Sequence, residues 1–134
     1  MSVELTSADM TQYEEEGFLV IRDALDQAEL NRFDKAFRTH LDELHPSDLN
    51  YPDPGRYTLA KSAMADPNLA FVVEHPNIVG PASCLLKDDP ILTAFVVYDR
   101  TPGGPGIPAH NDYKRWRPVG SSMDWLFAIV PITD

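Results

Sequence analysis

A single cysteine, Cys84, stands in the chain of 134 residues, so no intramolecular disulfide can staple the fold. It sits among apolar residues in a segment that reads as helix, with no base beside it, and a buried structural thiol is expected. Positive charge is scarce as well. Eleven Lys and Arg residues stand against 21 Asp and Glu, for a formal net charge of -10, which makes phosphate backbones and anionic membrane surfaces poor partners. Neither a nucleic acid nor a membrane is therefore expected as a partner. No apolar run approaches the roughly 18 to 20 residues of a membrane span. The opening MSVELTSADMTQYEEEG lacks the basic-then-apolar layout of a signal peptide, so a cytoplasmic location is expected. Internal repeats and low-complexity tracts are missing too. What remains is 43% hydrophobic and 10% aromatic content, enough for one core in a single domain over 1–134.

The order of local signals gives an outline. SADMTQYEEEG reads as a short helix, with Ser7 as N-cap and Gly17 at its end, and FLVIR, Phe18 to Arg22, as a short buried strand. In DALDQAELNRFDKAFRTHLDEL, Asp26 and Glu29 have capping-box spacing. There Leu30, Phe33, Phe37, Leu41 and Leu44 recur at helical intervals, which makes this the most secure helix. HPSDLNYPDPGRY, His45 to Tyr57, carries three prolines and a glycine and reads as a loop or lid. DPNLAFVVEH and PNIVGPASCLLKDD read as two helices, each opened by a proline whose missing N–H does no harm in the first turn. PILTAFVVYDR, Pro90 to Arg100, reads as a strand. TPGGPGIPA is a loop, HNDYKRW begins as extended chain, and MDWLFAIVPITD reads as a buried strand. Helices and one strand come first and further strands later, the order of an α+β fold whose sheet is incomplete at its C-terminal side.

Two His-x-Asp matches occur, His40-Leu41-Asp42 and His110-Asn111-Asp112. Side chains two apart diverge by about 200° on a helix but share one face of a strand. His40 and Asp42 lie in the secure helix and read as solvated surface residues. His110 and Asp112 enter extended chain behind a Gly/Pro-rich loop, where an imidazole and a carboxylate can share one ion. They are then two members of the 2-His-1-carboxylate arrangement that holds Fe(II) with open positions. A loop histidine hydrogen-bonded to a nearby aspartate is the alternative.

YEEEGFLVIRDALDQAELNRF, FVVYDRTPGG, PAHNDYKRW and LFAIVPITD, taken in that order, resemble the phytanoyl-CoA dioxygenase family, which includes ectoine hydroxylase. The likeness runs from about Met10 to the last residue. EEGFLVIRDAL and the H-x-D in its strand context are its most specific parts. The resemblance implies N-terminal helices packed on a double-stranded β-helix, a jelly-roll of cupin type, with Fe(II) and 2-oxoglutarate as cofactors. It implies hydroxylation of a small-molecule substrate with dioxygen, and His110 and Asp112 as the first two iron ligands. An aspartate at 112, where halogenating relatives carry a small residue, implies hydroxylation.

By the same resemblance, the second histidine ligand and the basic residue that holds 2-oxoglutarate lie on later strands, beyond PITD. His40, His45 and His75 all precede the motif. A jelly-roll has about eight strands, whereas three or four are legible here. The expectation is an N-terminal portion of a longer dioxygenase, or a protein completed by association, possible as a homo-oligomer, and inactive as these residues alone. A non-catalytic binding or assembly module of the same fold is the alternative. Trp116 matches the offset of a pocket-lining tryptophan in some hydroxylases of the family, or else is a core aromatic. Lys114, Arg115 and Arg117 form a basic patch that can draw an anionic substrate or cosubstrate, or else a solvated turn. Tyr98 can donate to a carboxylate of 2-oxoglutarate, and Asp99 is expected to cap the turn that follows.

Overall fold

The computed structural model describes residues 3–43, 56–59, 61–100, 102–104, 106–110 and 124–133. Helix α1, Ser7–Glu16, is capped one residue earlier than its sequence implied, by Thr6 rather than Ser7. Thr6 Oγ1 accepts from the Asp9 amide at 3.2 Å, and the Asp9 carboxylate accepts from the Thr6 amide at 2.7 Å. An aspartate at the third helical position therefore completes a reciprocal box. Donation by the Thr6 hydroxyl, and then by its amide, holds the Asp9 carboxyl below the usual range. Gly17, at φ 77°, ends the helix in the left-handed conformation that favours glycine.

The α1 helix buries no residue. Two contacts fasten it and the segment before it: the Val3 amide donates to Asn77 Oδ1 at 3.0 Å, and Cys84 Sγ lies 3.8 Å from Met10 Sδ. Cys84 is exposed, which corrects the expectation of a buried thiol.

Phe18 to Arg22 form no strand. The alternation is present, with Leu19 and Ile21 half-buried and Phe18 and Val20 exposed. Among the described residues, however, no neighbouring strand pairs with it, and a strand is made by its partner's hydrogen bonds.

Helix α2, Gln27–Glu43, is built as its sequence implied. The Asp26 amide donates to Glu29 Oε2 and the Glu29 amide to Asp26 Oδ1, both at 2.8 Å. Phe33 and Phe37 are buried on one stripe, with Leu30, Ala36 and Leu41 packed beside them.

Residues 44–55 of the proline-rich stretch lie outside the described residues. Its last two, Arg56 and Tyr57, open strand β1, Arg56–Leu59, where a loop was expected. Four residues are too short for a sequence pattern, and the pairing that makes them a strand is with a segment about 40 positions away. Helices α3, Lys61–Ala65, and α4, Pro67–Ala70, then a 3₁₀ turn, Phe71–Glu74, and α5, Pro76–Leu86, follow. Both prolines stand at helix starts as expected, behind Asp66 and His75 as N-caps. Within residues 67–86 a window of 18 residues has a mean hydropathy of 1.3, long and apolar enough to cross a membrane by length and composition alone. This corrects the expectation that no such run exists. The stretch is broken at His75, whose backbone is extended, and Leu69, Val72 and Pro81 are buried in the fold.

Strand β2 is Val97–Arg100 and pairs antiparallel with β1, Arg56 opposite Arg100, Tyr57 opposite Asp99, Thr58 opposite Tyr98 and Leu59 opposite Val97. Residues 90–96, expected as strand, are not, and neither are residues 124–133. Both lack a described partner. Ile91 and Ile129 are 88% and 87% exposed, while Val130 and Ile132 rest against the core. The result is a mixed helix and sheet architecture of α+β type, with one two-stranded sheet among the described residues.

The core lies between α2, the short helices and the inner face of the hairpin. Leu25, Phe33, Phe37, Leu59, Ala63, Leu69, Val72 and Val97 form one buried cluster. Phe33 meets the edge of Phe71, with ring centroids 6.5 Å apart. Truncating Phe33, which is 3% exposed, removes one of the two rings that α2 contributes to this cluster. Phe33→Ala is expected to cost about 3–5 kcal/mol, read as a lowered denaturant midpoint at unchanged m-value.

Candidate functional site

Strand β2 delivers the chain into the loop that carries the expected metal pair. Gly103, at φ 76°, supplies the left-handed turn directly after the strand. The loop reaches His110, which is exposed and whose Nδ1 lies 2.8 Å from the Pro108 carbonyl oxygen. A carbonyl only accepts, so Nδ1 carries a proton in this contact. A backbone carbonyl in this role is the usual orienting partner of a metal-bound histidine. Asp112, Trp116, Arg115 and Arg117, together with Asn111 and Lys114, lie outside the described residues. Among the described residues no group of three or more His, Cys, Asp or Glu side chains is placed to hold a metal ion.

Two other histidines are committed elsewhere, and His45 lies outside the described residues. His40 was expected as a solvated surface residue. It is instead half-buried, with Nε2 2.9 Å from Asp66 Oδ2. The helical stripe that carries Phe33 and Phe37 brings it round to face the start of α4, a tertiary contact that spacing within α2 does not reveal. Asp42, two positions on, is exposed as expected. His75 Nε2 lies 3.0 Å from Glu29 Oε1, and its Nδ1 accepts from the Asn77 amide at 3.2 Å as the N-cap of α5.

The hairpin sorts its polar residues by face. Leu59 and Val97 point to the core. On that same side Asp99 stands half-buried, where its charge adds to that of Asp34 in raising the Arg38 pKa. Asp34 Oδ2 accepts from Arg38 Nε at 2.7 Å. Asp99 therefore serves the helix layer and lies within β2, not in the turn it was expected to cap. On the other face stand Thr58, Tyr98 and Arg100, with Arg56 opposite Arg100 in the register. The Arg100 guanidinium lies 4.9 Å from the Tyr98 ring centroid, and its Nη1 donates to the carbonyls of Tyr57 at 3.2 Å and Asp99 at 2.7 Å. Tyr98 is 56% exposed. Arg56, Thr58 and Arg100 were missed as a group. The period-two alternation of β2 was there to be read, but nothing local marks β1.

The phytanoyl-CoA dioxygenase family matches over residues 13–134, and the chain belongs to that family. Its proteins are in general iron- and 2-oxoglutarate-dependent dioxygenases. Neither the curated proteins nor the solved structures yield a match.

The His40–Asp66 pair has a pH signature. The Asn68 amide, donating to Asp66 Oδ1, holds that carboxyl below the usual range, and His40 adds to this against partial burial. A folded-state pKa below the unfolded value of about 3.9 stabilises the fold fully above that value. The contribution is lost as pH falls through the folded pKa. Asp66→Asn keeps a capping oxygen but loses the charge. It is expected to lower stability at neutral pH and to flatten the acid limb below about pH 4 in urea titrations, relative to the parent.

Proposed function

We propose that this chain is the N-terminal portion of a non-haem Fe(II)- and 2-oxoglutarate-dependent hydroxylase acting on a small organic substrate, with the helices packed on part of a jelly-roll. His110 and Asp112 are two of its iron ligands. The observation that carries this reading is the 2.8 Å contact from His110 Nδ1 to the Pro108 carbonyl, made by the histidine of the family's H-x-D. It gives the ring the Nδ1–H···O=C bond common on metal-bound histidines, and an imidazole with a carboxylate two residues on has the donor types of a ferrous site. When bound, Fe(II) with 2-oxoglutarate and dioxygen supplies the oxidant for C–H hydroxylation. The protein's own residues orient and exclude. The Pro108 carbonyl holds the His110 ring, Tyr98 offers its hydroxyl to a carboxylate of the cosubstrate, and Trp116, Arg115 and Arg117 shape the entrance for an anionic or polar substrate. By the family likeness, a second histidine and a basic residue complete such a site.

The second reading, a non-catalytic assembly module of the same fold, is favoured by one feature. Large apolar side chains at Ile91, Leu92, Phe127 and Ile129 are exposed, and exposed apolar side chains of this size suit association, including as a homo-oligomer.

Anaerobic titration with Fe(II) separates the two readings. The chain is expected to bind the ion, and His110→Ala and Asp112→Ala each to weaken binding by about 10–100-fold. Absence of Fe(II) binding by the parent, with the fold intact by circular dichroism, would favour the module. In a longer chain that turns over 2-oxoglutarate, charge reversal at Arg115 and Arg117 is expected to raise the apparent KM for the anionic reactant. Unchanged kinetics at low salt would remove the patch from that role.

A further inference from the structure

We propose that the imidazole of His75 is a proton-operated latch: protonated at Nδ1, it gives up the start of α5 and frees the segment ahead of α1 from the body of the fold. The latch uses none of the residues assigned to the iron site and does not rest on that reading.

The hydrogen bonds at the ring admit one neutral form. Nδ1 lies 3.2 Å from the Asn77 amide, which is a donor, so Nδ1 must accept. Nε2 lies 3.0 Å from Glu29 Oε1, and a carboxylate only accepts, so the proton of the neutral ring sits on Nε2. A second proton has one place to go, the Nδ1 lone pair that caps α5. Once it is there, two N–H groups face each other and the Asn77 amide has lost its acceptor.

Two effects oppose a charged ring in this position and one favours it. The cap is lost, and a positive charge is set at the positive end of the α5 dipole. Attraction to Glu29 works the other way. That carboxylate is 30% exposed, however, where screening keeps such a pair weak, and its bond from Nε2–H exists before the ring is charged. Arg32, also on α2, lies over Phe71, whose edge meets the His75 ring with centroids 6.4 Å apart, and it brings a second positive charge toward the same corner. Asp26 is engaged by the Glu29 amide, and Glu74, next to His75 in sequence, is exposed. From α5 and the N-terminal segment, Asn77 and the Val3 amide meet this corner, both uncharged.

What the cap holds is more than one helical turn. The Asn77 side chain accepts the Val3 amide at 3.0 Å and donates to the Ala24 carbonyl at 2.9 Å, so a first turn that shifts away from the charged ring disturbs both anchors. The Val3 carbonyl rests on the same helix, 3.8 Å from the point where a side chain at Gly80 would begin. Helix α1 buries no residue that could hold it in place by itself. Mild acid is therefore expected to loosen residues 3–16, while α2, with Phe33 and Phe37 buried, stays ordered.

The test is a heteronuclear NMR titration of the whole chain from about pH 8 to about pH 5, the span over which an imidazole changes charge. At the upper end the His75 ring nitrogens are expected to show the neutral Nε2–H form. As the ring charges, the Asn77 and Val3 amide signals should move with the same midpoint. Hydrogen-exchange protection in the first turn of α5, taken relative to intrinsic rates, should fall at least about threefold, toward the lower end of what an N-cap contributes, and protection in α2 should hold. The Asp9 and Asp66 carboxyls, both held below the usual range, stay charged throughout and add nothing to the response. His75→Asn keeps a capping side chain that does not titrate and should abolish the response, whereas His40→Gln, at the other histidine pair, should leave it intact. A neutral ring protonated on Nδ1, a ring that never charges over this span, or Asn77 and Val3 amides that stay fixed while it does, overturns the proposal. So does a response of the same size in His75→Asn, or one lost in His40→Gln. Should His75→Asn fail to fold, the titration of the parent chain decides.

Discussion

The Glu29 carboxylate ties together more of this molecule than any core side chain. One oxygen accepts the Asp26 amide and closes the capping box of α2, while the other takes the His75 ring at 3.0 Å. The far side of that ring caps α5 through the Asn77 amide. Asn77 in turn donates its side-chain amide to the Ala24 carbonyl at 2.9 Å and accepts the Val3 amide at 3.0 Å. Because His75 Nδ1 must accept, its proton sits on Nε2 and points at Glu29, so one tautomer serves both helices. A single chain of hydrogen bonds thus fixes the starts of α2 and α5, the turn before α2 and the N-terminal segment. Such a network is cooperative when every member is satisfied.

At the far end of α2 the arrangement is repeated with roles exchanged, His40 reaching the N-cap carboxylate of α4. Between the two, Arg32 donates to the Pro67 carbonyl and Asn68 Oδ1, and its guanidinium lies 4.6 Å from the Phe71 ring centroid. The polar contacts flank the same stripe that buries Phe33 and Phe37. Hydrophobic burial sets how strongly α2 adheres, and the flanking pairs set its register on the short helices. The hairpin rests on this layer through Leu59 and Val97, and the loop that carries His110 leaves from the end of that hairpin.

What could be read from sequence was what local chemistry decides. The Asp26–Glu29 box, Gly17 as a helix stop and the prolines after Asp66 and His75 each satisfy helix-end groups within three or four residues, and each stands where its sequence implied. Contacts between distant residues left no such trace. Glu29 and His75 are 46 positions apart, His40 and Asp66 are 26, and no spacing rule joins them. Strands fared worst, since β-rich composition marks a segment able to pair without naming its partner. Phe18 to Arg22 alternate as strands do and residues 124–133 carry a continuous apolar run, yet only the last four residues of the Pro90–Arg100 segment are paired, with a stretch assigned to a loop. For the site, H-x-D direction and chain order pointed to His110. The Pro108 carbonyl that turns its ring is a backbone group, invisible to side-chain motifs.

The thin attachment of α1 bears on how the protein opens. A helix that buries no residue is expected to open as a unit of low local free energy. Its amides exchange with solvent deuterium through fraying while those of α2 wait for global unfolding. Proteolytic nicking ahead of Asp26 would therefore precede cleavage within α2.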